Sequence, residues 1–187
     1  MSDPFDVRFK NDYLPVFAQD SLSESTLPED VSPGHVIGTF KATDSDLGSQ
    51  SSIKYSIKPD LGSLAIDRNT GVLTVAKGLD RELTNEIAVA IVATDSAPAP
   101  FHKSTEHAYR LILSDLNDNS PVFNQSETHF DIKESTAVGD VALAITATDA
   151  DAGDNARLTY TMVSTNDYDG FFEFKSDSAS FVVKRKF

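Results

Sequence analysis

Cysteine is missing from the 187 residues, and with it go disulfides, thiolate nucleophiles and Cys-based zinc sites. Tryptophan is missing too, so no indole is available to stack a sugar. Positive charge is scarce: 16 Lys+Arg face 29 Asp+Glu, a formal net charge of −13. That balance argues against a nucleic-acid partner, whose phosphates need a basic surface, and against a polybasic contact with a membrane. No apolar run approaches the roughly 18–20 residues that span a bilayer, so direct membrane insertion by this segment is not expected. The opening Met1-Ser2-Asp3-Pro4-Phe5-Asp6 has neither a basic start nor an apolar stretch, which leaves a cytosolic protein or an internal fragment. His35, His102, His107 and His129 form no zinc spacing, and no glycine-rich phosphate loop or nucleophile motif appears. The chain is not expected to be an enzyme.

What is present is a repeat. Asn11-Asp12-Tyr13-Leu14-Pro15-Val16-Phe17 returns as Asn117-Asp118-Asn119-Ser120-Pro121-Val122-Phe123, an offset of 117 − 11 = 106. Ala42-Thr43-Asp44-Ser45-Asp46-Leu47-Gly48 returns as Ala147-Thr148-Asp149-Ala150-Asp151-Ala152-Gly153 at offset 105. Glu29 and Glu134, Gly34 and Gly139, and Tyr55 and Tyr160 keep the same spacing. A unit of about 105 residues is domain-sized, so these are tandem domains rather than turns of a solenoid.

Each unit reads as strands. His35 to Thr43 and Val141 to Thr148 alternate apolar positions with β-branched enrichment, Ile53–Ile57 and Val72–Val75 alternate cleanly, and Ile87–Thr94 and His107–Leu113 complete the first unit. Asp67-Arg68-Asn69-Thr70-Gly71 is a turn signal, and no amphipathic helix of useful length is apparent. The expected class is all-β: tandem Greek-key sandwiches with seven strands per complete repeat.

In a sandwich the loops gather at the two poles, and the distinctive acids fall in loops. Glu29, Asp80, Glu82, Asp115 and Asp118 belong to the first unit and its exit; Asp149 and Asp151, with Asn155 beyond, belong to the second. Two carboxylates about 4 Å apart repel by several kcal/mol at an effective dielectric near 20. A hard divalent cation reverses that sign, and calcium takes six to eight oxygens from carboxylates, amides and carbonyls in a tolerant geometry.

Pro28-Glu29, Leu79-Asp80-Arg81-Glu82, Asp115-x-Asn117-Asp118-Asn119-x-Pro121 and Asp149-Ala150-Asp151-x-Gly153-x-Asn155 together resemble the cadherin repeat, from about Asn11 to the end of the chain. The resemblance implies calcium held by Glu29, Asp80, Glu82, Asp115, the Leu116 carbonyl, Asn117, Asp118, Asn119, Asp149, Asp151 and Asn155. It implies a second, partial calcium site from Asn11, the Tyr13 carbonyl, Asp44, Asp46 and Asp95. It assigns residues 1–12 to the remnant of a preceding linker, 13–118 to a complete repeat, and 119–187 to the N-terminal part of a second repeat whose last strands are missing.

The implied function is calcium-dependent cell adhesion. Calcium at the inter-repeat junction would rigidify an ectodomain rod for homophilic or heterophilic contact with other cadherins, on the extracellular face of the plasma membrane, as part of a longer single-pass protein. Without metal the junction acids would repel and the units swivel. The lack of Trp excludes the best-known exchange of a Trp-bearing strand and points toward protocadherin-like or Fat-like repeats. The alternative is a calcium-stiffened spacer or carbohydrate-binding module without an adhesive role. An EF-hand is disfavoured: Asp154 stands where position 6 needs Gly, and Tyr160 where position 12 needs Glu. Asn124-Gln125-Ser126 is an N-glycosylation acceptor pattern.

Overall fold

The computed structural model describes residues 10–125, 131–163 and 170–186. The chain forms two compact units, Met1–Asp115 and Leu116–Phe187. Both are sandwiches of β-sheet, and the only helical turn among the described residues is a single 3₁₀ turn at Gly48–Ser51.

Unit 1 is organised by its two longest strands, β8 (Glu86–Asp95) and β9 (Ser104–Ser114), paired antiparallel over nearly their whole length. Alternate β8 residues face inward: Ile87, Val89, Ile91 and Ala93 are buried. On β9 the inward row is Tyr109, Leu111 and Leu113. Strands β2 (Glu24–Pro28) and β5 (Ile53–Lys58) complete a four-stranded sheet in the order β2-β9-β8-β5. Opposite lies the sheet β3-β7-β6, built from Val36–Thr39, Val72–Val75 and Leu64–Ile66. Phe40, Tyr55, Leu64 and Leu73 close the core between them.

The expected strand His35 to Thr43 is divided into β3 and β4 (Ala42–Thr43), and β4 pairs with β1 (Val16–Phe17) instead of with β7. The break is Phe40. Its ring goes into the core at 1% exposure, and its N–H donates to the carbonyl of Gly71 over 2.9 Å. Gly71 closes the β6–β7 hairpin with φ +70°, and a Cβ there would lie 2.1 Å from the Phe40 carbonyl oxygen. Both the backbone angle and the space demand glycine. Asp67 fixes the same turn by accepting from the N–H groups of Asn69 and Thr70 and from the Thr70 hydroxyl.

Unit 2 repeats part of this plan among the described residues, with no counterpart of the four-stranded sheet. β10 (Val122–Phe123) pairs with β12 (Ala147–Thr148), and β11 (Val141–Ala144), β14 (Ser180–Val183) and β13 (Phe172–Lys175) form a sheet in that order. The Ala147 N–H donates to the Tyr160 hydroxyl over 3.1 Å, as the Ala42 N–H does to Tyr55 over 2.8 Å. Gly139 (φ +97°) donates to Val183, as Gly34 (φ +93°) does to Val75. One departure stands out: the counterpart of Gly71 is Ala179, held at φ +45°.

Candidate metal centre

The inward rows of β8 and β9 do not stop at the core. Two residues beyond Ala93 the same period delivers Asp95, buried to 3% at one pole of unit 1. Two residues beyond Leu113 it delivers Asp115 at the other pole, partly buried. Each pole therefore receives an acid aimed inward by the strand that builds the core.

At the Asp115 pole, Glu29 follows β2 and is only 4% exposed. Its backbone N–H donates to the Ser114 carbonyl, which fixes it beside the end of β9. Carboxylate oxygens of Glu29, Glu82 and Asp115 all lie within 4.8 Å of one another. Burial pushes the Glu82 carboxyl above its usual range; its own N–H and the Arg81 charge oppose this, while Glu29 adds to it. Three acids packed this closely, one of them reluctant to ionise, call for a cation. Arg81 is the residue the sequence reading passed over. It pairs with Glu82 and with Asp115, and its backbone N–H donates to Glu29 Oε2 over 2.7 Å. Its signal was its place between two expected ligands. Asp80 is exposed, and one oxygen of its carboxylate caps the following turn by accepting from the Leu83 N–H.

At the Asp95 pole, Asn11 donates to Asp95 Oδ2 over 2.9 Å, and Asp95 also accepts from the N–H groups of Ala97 and Lys103. Asp46 accepts from the N–H groups of Asp12 and Tyr13, and Asp44 Oδ1 from the Asp46 N–H. Burial raises the Asp46 carboxyl, but these backbone donors, Asp44 and the Lys103 charge outweigh it, so it sits below the ordinary range and is ionised at neutral pH. Asn11 Oδ1 and Asp44 Oδ2 are buried without a hydrogen-bond partner. A buried oxygen left unpaired is costly, and both are hard donors of the kind calcium takes. The residues present fit the ion.

Unit 2 carries the same arrangement. Asp151, 7% exposed, accepts from the N–H and the side-chain amide of Asn119, and its own N–H donates to Asp149 Oδ1. Asp151 Oδ2 is buried without a partner. Asp118 accepts from the Asn119 amide and donates its N–H to the Leu116 carbonyl. Asn117 is exposed, and the Asn155 N–H closes a turn onto Ala152. Asn124 is exposed, with its side-chain amide on Thr146, while Ser126 of the acceptor triplet and His129 lie outside the described residues, as do residues 1–9 of the leading segment.

A cadherin-domain family profile matches residues 23–109. Human Protocadherin-11 X-linked is 35% identical over 179 residues, covering 95% of this chain and 13% of that relative. Rat Protocadherin-16 is 35% identical over 184 residues, covering 96% of this chain and 6% of the relative. Among solved structures, mouse Cadherin-23 EC22-24 is similar with a TM-score of 0.86 and 28% identity over 96% of this chain and 56% of that one. Protocadherin Gamma B2 extracellular cadherin domains 1-5 gives 0.81 and 29%, over 96% of this chain and 35% of that one. The chain spans only a small part of the curated relatives it matches.

Proposed function

This chain belongs to the cadherin superfamily, and from that premise we propose that it is a calcium-stiffened segment of a cell-adhesion ectodomain. The carrying observation is the convergence of the Glu29, Glu82 and Asp115 oxygens within 4.8 Å at the pole where the first repeat ends. The family is one of adhesion proteins and not of enzymes, and the acids are accounted for as ligands. Bound there, calcium would supply positive charge beyond that of Arg81; the protein supplies the fixed positions of the oxygens.

In this reading Glu29, Asp80, Glu82, Asp115, the Leu116 carbonyl and Asp118 serve the first repeat's side of the connection. Asn117, Asn119, Asp149, Asp151 and Asn155 serve the second's. The connection then holds one angle instead of many, which lets successive repeats present a surface to another cadherin at a set distance outside the cell. Asn11, Tyr13, Asp44, Asp46 and Asp95 form a partial set of the same type.

Extracellular modules bind calcium at roughly 10⁻⁴–10⁻³ M. With a Kd of ~10⁻⁴ M, calcium at ~1 mM stabilises the folded state by about 1.4 kcal/mol per site. Thermal melts of the whole chain with 1 mM calcium against EDTA test this. The expected outcome is a clear rise in Tm with calcium, and a smaller rise for Glu82→Gln. A Tm indifferent to calcium rejects the reading.

A further inference from the structure

We propose that Arg81 is the resident counter-cation of the acid cluster in unit 1, and that a divalent ion entering the cluster must displace its guanidinium. The inference rests on the calcium reading above and adds a competitor to it. One residue touches all three acids: the guanidinium pairs with Glu82 and Asp115, and the backbone N–H bonds Glu29. The Arg81 side chain is only 15% exposed, so its charge is held inside the pole rather than in water. Glu82 and Asp115 are also only 19% and 15% exposed in their side chains.

A guanidinium and a metal ion compete for the same oxygens. Arginine presents donors in a rigid fork matched to carboxylates, and it stays charged at any accessible pH. A divalent ion seated on the Glu82 and Asp115 oxygens would stand beside that positive charge unless the fork moves off. Loading is therefore an exchange: a single charge gives way and a double charge takes its place. Without metal the three acids do not drive one another apart, because Arg81 already neutralises part of their charge. The cost of breaking two ion pairs in a low-exposure site is subtracted from calcium affinity. Arg81 thus tunes the concentration at which the pole responds, and protects the fold when calcium is low.

The test uses the whole chain. Calcium titrated calorimetrically into Arg81→Gln should bind on the order of tenfold tighter than into the parent, since like-charge repulsion at a few ångströms is removed. The metal-free Tm of that variant should fall at the same time. Arg81→Lys keeps the charge and should stay near the parent in affinity. A strut that merely holds the loop would lose stability with affinity unchanged or weakened, and that result overturns the proposal. If Arg81→Gln does not fold, the parent still decides: its Arg81 Nε–H resonance should move and lose protection as calcium saturates, and an unmoved resonance overturns the proposal. A parent that binds no calcium sinks both readings; a parent that binds while Arg81→Gln gains nothing sinks only this one.

Discussion

The two units share a plan but not a core. Unit 1 buries a continuous cluster from Phe40 and Tyr55 through Ile91 to Leu113, most of it supplied by the long pair β8 and β9. In unit 2 the buried apolar side chains among the described residues are Ala179 and Val183. Phe172, Phe174 and Phe181 are only partly covered, although Phe174 and Phe181 rest against each other. Individual hydrogen bonds nevertheless recur in both units, among them those of the Tyr55 and Tyr160 hydroxyls and of the Gly34 and Gly139 N–H groups. Short-range hydrogen bonding is set by local sequence, whereas a closed hydrophobic core needs strands brought together from far along the chain.

The largest expected effect follows from that contrast. Limited proteolysis should cut within unit 2, after about Pro121, well before it touches unit 1, because local opening is least costly where few apolar contacts resist it. Equal lifetimes of the two halves, read by mass spectrometry of the fragments, would erase the distinction. Next in size, Leu73→Ala in unit 1 should cost about 2–5 kcal/mol in urea unfolding, the usual range for a fully buried Leu. Val182→Ala, at the half-buried β14, should cost well under that.

The hairpin turns sharpen the comparison further. Gly71→Ala should destabilise unit 1 by roughly 1–3 kcal/mol, through both its positive φ and the crowding against the Phe40 carbonyl. The reverse change, Ala179→Gly, should stabilise unit 2 by about 1 kcal/mol, since it relieves a left-handed alanine. Matched urea melts check the opposite signs.

The smallest effect is a pH dependence confined to unit 1. Hydrogen bonds from the Thr70 N–H, the Thr70 hydroxyl and the Asn69 N–H hold the Asp67 carboxyl below its ordinary value, against a minor opposing effect of burial. A lowered folded pKa means that this stabilisation is in place above the unfolded value near 3.9. It is lost as the pH falls through the lower folded value. At the start of the matching turn unit 2 carries Lys175. Asp67→Ala should therefore flatten the acid limb of unit 1's melting curve and leave unit 2's unchanged.

The repeat made much of this legible in advance. Copies of Asp-x-Asp at positions 44 and 149, and of Asn-Asp at 11 and 117, marked the acids before any fold was in hand. The apolar, β-branched run Ile87–Thr94 marked the core strand. What could not be read was anything set by distant pairing. His35 to Thr43 looked like one strand because its pattern is unbroken; it is divided by a change of partner, from β7 through Thr39 to β1 from Ala42. Leu64–Ile66 is too short to announce itself and exists because β7 offers an edge. Asp80 and Glu82 looked equivalent in the sequence, yet one caps a turn and the other joins Glu29 and Asp115. Arg81 stood inside the Leu79–Glu82 motif without a role of its own, because no local pattern says where a long side chain will point.

One pairing carries a mechanical corollary. β2 runs parallel to β9, joined from Glu24 opposite Arg110 to Pro28 opposite Ser114. Pull the unit by its two ends and these strands are drawn past each other along their length, so the rungs between them bear the load together and must fail as a block. An antiparallel pair at the same place would open like a zipper, one rung at a time. The direction of five residues thus makes this unit a link that resists stretching.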